Sequence, residues 1–280
     1  MKKRLKIIVL IAAAVFVTLI ILLATFIDNK NIVYENYIIN YDINDNSDVF
    51  DIKIIHLSDL HFPKIKVNIS KMLEKLQQES PDIIAITGDL IDQSAKIDNC
   101  GAINFIKKLK SIAPIYYVNG NHEKGHKDAD LLYKGLIEND VVILNNRSVN
   151  ITIRNTRVTI MGIIDNMNFY SNLFSDNQEL ENNYRILLAH RPEKWPNYIS
   201  DFNTIKPHLV LTGHAHGGQF RFFGKGFYAP NQGFFPKYDS GLYESIDVKM
   251  IVSRGIGNSV ISFRFNNKPH IPIITIKCSN

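Results

Sequence analysis

The pattern of apolar and polar positions changes texture three times along the chain. From Ile7 to Ile27 no residue is charged, and the only polar side chains are Thr18 and Thr25. As a helix rising ~1.5 Å per residue this stretch would be about 31 Å long, which matches a hydrocarbon core of roughly 30 Å. Lys2, Lys3, Arg4 and Lys6 precede it, whereas Asp28, Asn29, Lys30 and Asn31 follow it. The positive-inside bias then predicts a single-pass protein of the cell membrane, N-terminus cytoplasmic and the remainder outside the cytoplasm. A cleaved signal peptide is the alternative, but the apolar run is long for one, and Leu23-Ala24-Thr25-Phe26 is a poor cleavage site. Residues 1–30 are therefore read as a cytoplasmic tip and transmembrane anchor, and residues 31–280 as one globular domain.

The second texture is a repeat of short apolar runs and helical spacings. Asn36 to Asp42 alternates loosely, as an edge strand does, and the patch Asn44 to Asp48 reads as a turn. Ile52 to Leu57 is an apolar run that stops at Ser58-Asp59-Leu60-His61. Val67 to Gln78 places Ile69, Met72, Leu73 and Leu76 at helical spacing, and Pro81 closes it. Asp82 to Thr87 is a second buried strand, ending in Gly88-Asp89-Leu90. Ile103 to Leu109 is helical, and Pro114 to Val118 is a third strand, ending in Asn119-Gly120-Asn121-His122-Glu123. Three such units predict a parallel βαβαβ core with right-handed crossovers.

After the amphipathic helix Ala129 to Glu138 the runs shorten. Val141 to Leu144, Ser148 to Ile153 and Val158 to Ile164 predict an antiparallel continuation. Asn166 to Asn183 is a polar surface excursion. Ile186 to Ala189 is a buried strand ending in His190-Arg191-Pro192, and Leu209 to Leu211 leads into Gly213-His214-Ala215-His216-Gly217-Gly218-Gln219. Met250 to Ser253 and Pro272 to Ile276 are the last strands. Between them, Phe220 to Tyr228 and Phe234 to Tyr238 hold aromatics without a sustained period and read as a looped cover. Arg221, Lys225 and Lys237 interleave with those aromatics, as on a lipid-facing surface.

Composition removes several function classes. The net charge of +5 suggests nucleic-acid binding until it is apportioned: four of the 32 basic residues precede the apolar stretch, and the remainder is close to neutral. No nucleic-acid footprint is left, and nothing points to a protein partner. Cys100 and Cys278 are too few for a disulfide framework. Neither a Gly-x-Ser-x-Gly elbow nor a Walker loop is present, so serine-hydrolase and P-loop chemistry have no support.

What remains is a constellation. Asp59, His61, Asp89, Asn121, His122, His190, His214 and His216 lie at or just beyond the ends of five expected strands, and they include five of the nine histidines. Oxygen and imidazole donors without thiolate suit Mn²⁺, Fe, Zn²⁺ or Mg²⁺ and argue against an iron–sulfur or structural zinc site. Arg254, just past a strand, could fork onto a phosphate or make a structural ion pair. His126 is near enough to His122 to touch a substrate or simply to line an exposed loop. His56 and His208 read as core residues, and His270 has no context.

The ordered set Asp59-x-His61, Gly88-Asp89, Gly120-Asn121-His122-Glu123, His190 and Gly213-His214-Ala215-His216 resembles the calcineurin-like metallophosphoesterases, from about Ile52 to the C-terminus. Gly217-Gly218-Gln219 with Ser253-Arg254-Gly255-Ile256-Gly257-Asn258-Ser259 is similar to its membrane-associated branch, which includes phosphodiesterases acting on UDP-diacylglucosamine. The resemblance implies a four-layer αββα sandwich and two divalent metal ions, manganese first, with iron, zinc or magnesium as alternatives. Asp59, His61, Asp89 and His216 would hold the first, and Asp89, Asn121, His190 and His214 the second. A bridging Asp89 can keep two cations ~3.5–4 Å apart, as in-line displacement at phosphorus requires. His122 would act as general acid or transition-state partner, with Glu123 orienting it. The expected function is a membrane-anchored phosphoesterase cleaving a phosphodiester or pyrophosphate of a lipid-linked substrate. The alternatives are an extracytoplasmic phosphomonoesterase or nucleotide hydrolase on a simple tether, and a non-catalytic metal-stabilised interaction module.

Overall fold

The computed structural model describes residues 2–42, 51–165, 183–200, 205–258 and 263–279. The turn expected at Asn44 to Asp48, nearly all of the excursion from Asn166, and Ser259 lie outside them. The chain opens with helix α1 (Lys2–Asp28), then strands β1 (Val33–Asp42) and β2 (Ile52–Leu57), helix α2 (Ile69–Glu79), β3 (Ile83–Thr87), α3 (Ala102–Lys110), β4 (Ile115–Val118), the short α4 (Asn121–Lys124), and α5 (Ala129–Ile137). Next come β5 (Val142–Ile143), β6 (Arg147–Ile153), β7 (Thr156–Gly162), β8 (Tyr184–Leu188), α6 (Trp195–Ser200) and β9 (Leu209–Thr212). Two small hairpins follow, β10 (Arg221–Phe222) with β11 (Lys225–Gly226) and β12 (Tyr228–Ala229) with β13 (Gly233–Phe234). Strands β14 (Gly241–Glu244), β15 (Lys249–Val252) and β16 (His270–Ser279) complete the chain.

Two six-stranded sheets form, in the orders β1-β16-β2-β3-β4-β5 and β14-β15-β9-β8-β7-β6. Strands β2, β3 and β4 are parallel, as the repeating strand-helix spacing requires. Their continuous apolar runs follow from burial on both faces. Ile55, Leu57, Ile84 and Ile86 turn to a layer containing Met72, Leu76, Phe105, Ile106 and Leu132 of α2, α3 and α5. Ile52, Ile54, Ile83 and Ala85 turn the other way, against Val158, Ile160, Ile186, Leu188, Leu209 and Leu211 of the second sheet. A third layer, around Leu187, Val210, Met250, Trp195 and Tyr198, closes the outer face of that sheet with α6. The layers are helix, sheet, sheet, helix, a mixed α/β sandwich.

The antiparallel continuation holds for Ser148–Ile153 with Val158–Ile164, which pair antiparallel as β6 and β7, but not for Val141–Leu144. β5 joins the first sheet parallel to β4, and β7, β8, β9 and β15 are mutually parallel in the second. Only the edge strands β6 and β14 pair antiparallel there. The parallel strands β7, β8 and β9 are buried on both faces and so need no polar alternation.

The expected membrane localisation is also overturned: among the described residues, no helix is long and apolar enough to cross a membrane. Helix α1 begins with Lys2, Lys3, Arg4 and Lys6. The chain enters the sandwich at Asn29, which is buried and accepts a hydrogen bond from Asn258 Nδ2 at 3.1 Å.

Candidate metal centre

Because β2, β3 and β4 run parallel in one sheet and β8 and β9 in the other, the loops that leave their carboxyl ends meet at one rim. Cross-sheet bonds fix that meeting. His190 Nδ1 donates to the Thr87 carbonyl at 2.7 Å, and the His214 N–H reaches both Asp59 carboxylate oxygens, at 3.2 and 3.1 Å. After β2 and β3 the loops keep pairing, with Asp59 N–H bonded to Gly88 O and His61 N–H to Asp89 O.

The backbone there is strained. Asp59, His61, Asp89, His214 and His216 all have φ between 48 and 63°. Non-glycine residues held in the left-handed region cost of order 1–3 kcal/mol each and persist where the surroundings over-determine them. Five in one cluster aim five side chains at one point. Gly120 lets the β4 loop approach: a Cβ there would sit 2.1 Å from Asp89 Oδ1 and 2.6 Å from Asp89 N. Gly120→Ala is therefore expected to cost about 1–3 kcal/mol by overpacking. A urea midpoint equal to that of the wild type would contradict this.

Among the described residues three donor groups result, one of them His61 with Asp92 and His122 at the edge of the other two. Asp59, His61 and His216 form the first, with His61 Nε2 3.1 Å from His216 Nε2 and His216 Nε2 3.5 Å from Asp59 Oδ1. Asp89, His190 and His214 form the second: His190 Nε2 lies 3.4 Å from Asp89 Oδ2, 3.1 Å from His214 Nδ1 and 3.2 Å from Asn121 Oδ1. Asp89 lies between the groups, its Oδ2 3.8 Å from His61 Nε2 as well. Its other oxygen is fixed by the His122 N–H at 2.9 Å.

The donor set fits cations. Burial pushes Asp59 up to about 6, with Asp89 adding to the shift. Burial holds His61 down at about 3 and keeps His214 and His216 well below the usual imidazole range, so these rings are neutral, as ligands must be. At His190 burial also disfavours the charged ring, but the Asp89 carboxylate overrides it and raises the ring to about 10. The centre thus has buried carboxylate without enough positive charge, which divalent ions would provide. The His190 Nδ1–H bond to a backbone carbonyl also leaves Nε2 as the ligand atom.

His122 sits at the edge of the two groups, its Nε2 3.9 Å from Asp89 Oδ2. Gln93 N–H donates to its Nδ1 at 2.9 Å, and Asp92 Oδ2 lies 3.6 Å from that same atom. Asp92 is itself bound by Lys64 Nζ at 2.9 Å and by Ser94. Glu123 does not orient the His122 ring. Its fully buried carboxylate accepts from the N–H groups of Asp89, Gly120 and Ile91 at 2.9, 2.7 and 3.0 Å, clamping the loops after β3 and β4 together.

The two tentative substrate contacts, His126 and Arg254, have structural partners of their own. His126 is buried, its Nε2 bonded to Ala95 O at 2.9 Å and its Nδ1 accepting from Asp128 N–H at 3.0 Å, so both ring nitrogens serve the loop. Arg254 runs beside Gly217 and turns its Nη1 toward Glu35 of β1, 3.6 Å away, while His270 Nε2 meets the same carboxylate at 3.0 Å. His56 and His208 are internal, the first bonded to Thr87 Oγ1, the second stacked on Tyr184.

Residues that the sequence did not single out complete the centre. Asp92 had a signal, a second acid three positions after Asp89. Arg191, held by Asp165 at 2.6 and 3.1 Å, lies beside His214. Glu193 and Asn231 reach the same ring. Arg264 is fully buried, and its Nη2 sits 3.4 Å from His216 Nδ1 and 2.6 Å from Gly257 O. Arg191 and Glu193 follow the His190 strand end directly, whereas Asn231 and Arg264 come from distant loops that no spacing links to the motifs.

Comparison with known proteins agrees with this geometry. The sequence profile of the calcineurin-like phosphoesterases matches residues 52–218. An uncharacterised metallophosphoesterase of Bacillus subtilis, YkoQ, is 32% identical over 225 residues, covering 79% of this chain and 82% of that one. The phosphodiesterase YaeI of Escherichia coli is 26% identical over 233 residues, covering 80% and 82%. Among solved structures, TT1561 of Thermus thermophilus superimposes with a TM-score of 0.44 at 14% identity, covering 74% of this chain and 91% of that one. The chain belongs to the calcineurin-like phosphoesterases and is a metal-dependent phosphoester hydrolase.

Proposed function

We propose that the protein is a two-metal phosphodiesterase for an amphiphilic substrate. Asp59, His61, Asp89 and His216 would hold one divalent ion, and Asp89, Asn121, His190 and His214 the other. The observation that carries this reading is the Asp89 carboxylate, one oxygen of which lies within 3.8 Å of His61 Nε2 and 3.4 Å of His190 Nε2. Bound there, divalent ions neutralise phosphoryl oxygens and lower the pKa of water.

The chain's own groups do the rest. In the neutral ring, the Gln93 N–H bond to Nδ1 leaves the His122 proton on Nε2, the nitrogen facing the centre. A proton donor to the leaving oxygen requires the imidazolium, whose Nδ1–H must give up the Gln93 N–H and turn to Asp92 Oδ2, 3.6 Å away. Asp59, buried and bonded to the His214 N–H, holds the loops of the two sheets at fixed separation.

The preference for a diester with an apolar part is supported by the rim. Phe222, Phe223, Phe234 and Phe235 are exposed on the two hairpins, 47 to 104%, and Asn231, three residues before Phe234, touches His214. An exposed aromatic patch beside a catalytic centre is a docking surface for apolar substrate groups. The relative YaeI is a phosphodiesterase, which favours a diester over a monoester.

The test is a substrate series with the full-length protein and Mn²⁺. Alkyl p-nitrophenyl phosphodiesters of increasing chain length should be cleaved at least about tenfold better than p-nitrophenyl phosphate. Specificity should rise by up to about fourfold per methylene, at ~0.8 kcal/mol each. Paired Phe234→Ser and Phe235→Ser changes should flatten that rise and spare the shortest diester. A preference for monoesters or soluble nucleotides, with no dependence on chain length, would refute the substrate class.

A further inference from the structure

Asp59 has a strained backbone, with φ of 51°, and such a conformation lasts only where the surroundings hold it. The turn formed by residues 253–257 supplies that hold. The Ile256 and Gly257 N–H groups donate to the Asp59 carbonyl at 3.3 and 2.7 Å, and the Ile256 N–H also reaches Ser58 O at 3.2 Å. Gly255, with φ of 70°, lies against the same residue, where a Cβ would sit 2.7 Å from Asp59 Cβ. The turn is itself fixed by His270, a fully buried residue at the start of β16. His270 Nδ1 accepts from the Arg254 N–H at 3.2 Å, its backbone N–H donates to Gly255 O at 3.0 Å, and its carbonyl accepts from Ser253 Oγ at 3.3 Å. A backbone N–H can only donate, so Nδ1 is the acceptor and the proton of the neutral ring is on Nε2. That nitrogen lies 3.0 Å from Glu35 Oε2 on β1. Burial holds the ring down at about 4, although Glu35 pulls the other way, so Nδ1 remains an acceptor at neutral pH.

We propose that Glu35 and His270 are a positioning pair for the first donor group. The carboxylate on β1 fixes the tautomer and tilt of the imidazole, the imidazole fixes the 253–257 turn, and the turn holds Asp59 in its strained, inward-facing conformation. His61 follows two residues later in the same loop and is carried with it. Gly257 shows how closely the turn fits there, since a Cβ on it would sit 2.1 Å from Leu60 O. The second donor group has other supports, the Glu123 clamp on the Asp89 and Gly120 N–H groups and the Thr87 carbonyl behind His190, so it depends less on the pair. His270, which no sequence motif explains, thereby gains a role, as does the Ser253-Arg254-Gly255-Ile256-Gly257 run. The inference rests on the assignment of Asp59 to one of two divalent ions and adds what keeps that ligand in place.

The experiment is a calorimetric Mn²⁺ titration of the metal-stripped, full-length protein, with Asp59→Asn and Asn121→Ala marking the first and second equivalents. His270→Gln places its amide at the Nε2 position and leaves the Arg254 N–H without its acceptor. It should weaken the equivalent marked by Asp59 by about 10–100-fold and the other by less than about threefold. His270→Asn puts Oδ1 in the place of Nδ1 and should bring that equivalent back to within about threefold of the wild type. Glu35→Ala, at a half-exposed side chain, should weaken the same equivalent by about tenfold with an unchanged urea midpoint, and it decides the matter should the buried His270→Gln fail to fold. Cleavage of bis-p-nitrophenyl phosphate should follow occupancy, so that saturating Mn²⁺ restores kcat to Glu35→Ala with KM unchanged. Equal weakening of both equivalents, the same result for His270→Asn as for His270→Gln, or wild-type affinities in Glu35→Ala would overturn the positioning role while leaving the two-metal reading intact. Fewer than two Mn²⁺ bound by the wild type would overturn both.

Discussion

Asp89→Asn is expected to lower hydrolysis by at least about 10³-fold and to deplete metal from both positions. The carboxylate is the one group common to the two donor sets, with Oδ2 toward His61 and His190 and Oδ1 fixed by the His122 N–H. An amide keeps the shape but carries no charge, and one of its terminal atoms is a donor. Charge stabilisation by the ions is worth several kcal/mol, and each ~1.4 kcal/mol is a factor of ten in rate. Asn121→Ala, by contrast, removes a neutral donor from the second set alone and should mainly weaken one equivalent. Metal analysis of purified Asp89→Asn decides the matter, because two full equivalents with normal turnover would remove Asp89 from its bridging position.

The second large effect is expected at His122. His122→Asn should slow turnover by about 10²–10⁴-fold while leaving two equivalents of metal bound, since the ring belongs to neither four-residue ligand set. The loss should be greatest for diesters with poor leaving groups, which need a proton most. Asp92→Asn should produce a smaller loss with the same dependence on leaving group, because it acts through Nδ1 of His122. Equal losses for good and poor leaving groups would assign His122 to electrostatic stabilisation of the transition state instead.

The centre was legible in the sequence to the extent that strand ends are legible. Buried strands are continuous apolar runs, so their termini are sharp, and Asp59, Asp89, Asn121, His190 and His214 each follow one directly. Spacing carried no such information for residues delivered by loops. Glu193 is three residues past His190, but its relation to His214 depends on how β8 and β9 pair. Arg264 lies 48 positions from His216, and only the folded chain brings its guanidinium behind that ring. Of the two roles the sequence left open for Arg254, a phosphate contact or an ion pair, the structure shows an ion pair with Glu35 of β1. The parallel order of the second sheet was hidden for a related reason, because a two-sided strand of four or five residues looks the same whichever way its neighbour runs. The aromatic cover was recognised as irregular, yet its two hairpins rest on two-residue ladders too short to leave a period.

The reading of α1 failed on a different point. The apolar composition from Ile7 onward is real, and Ile7, Leu10, Phe16 and Leu19 are exposed on the helix. An exposed apolar surface is not a span, and among the described residues no helix is long and apolar enough to cross a membrane.

The most direct measurement is a Mn²⁺ titration of the metal-stripped, full-length protein, followed at each addition by cleavage of bis-p-nitrophenyl phosphate. The two-metal account predicts that activity stays near zero through most of the first equivalent, rises with the second and then saturates. Full activity at one equivalent, or two equivalents bound with no hydrolysis, would contradict it.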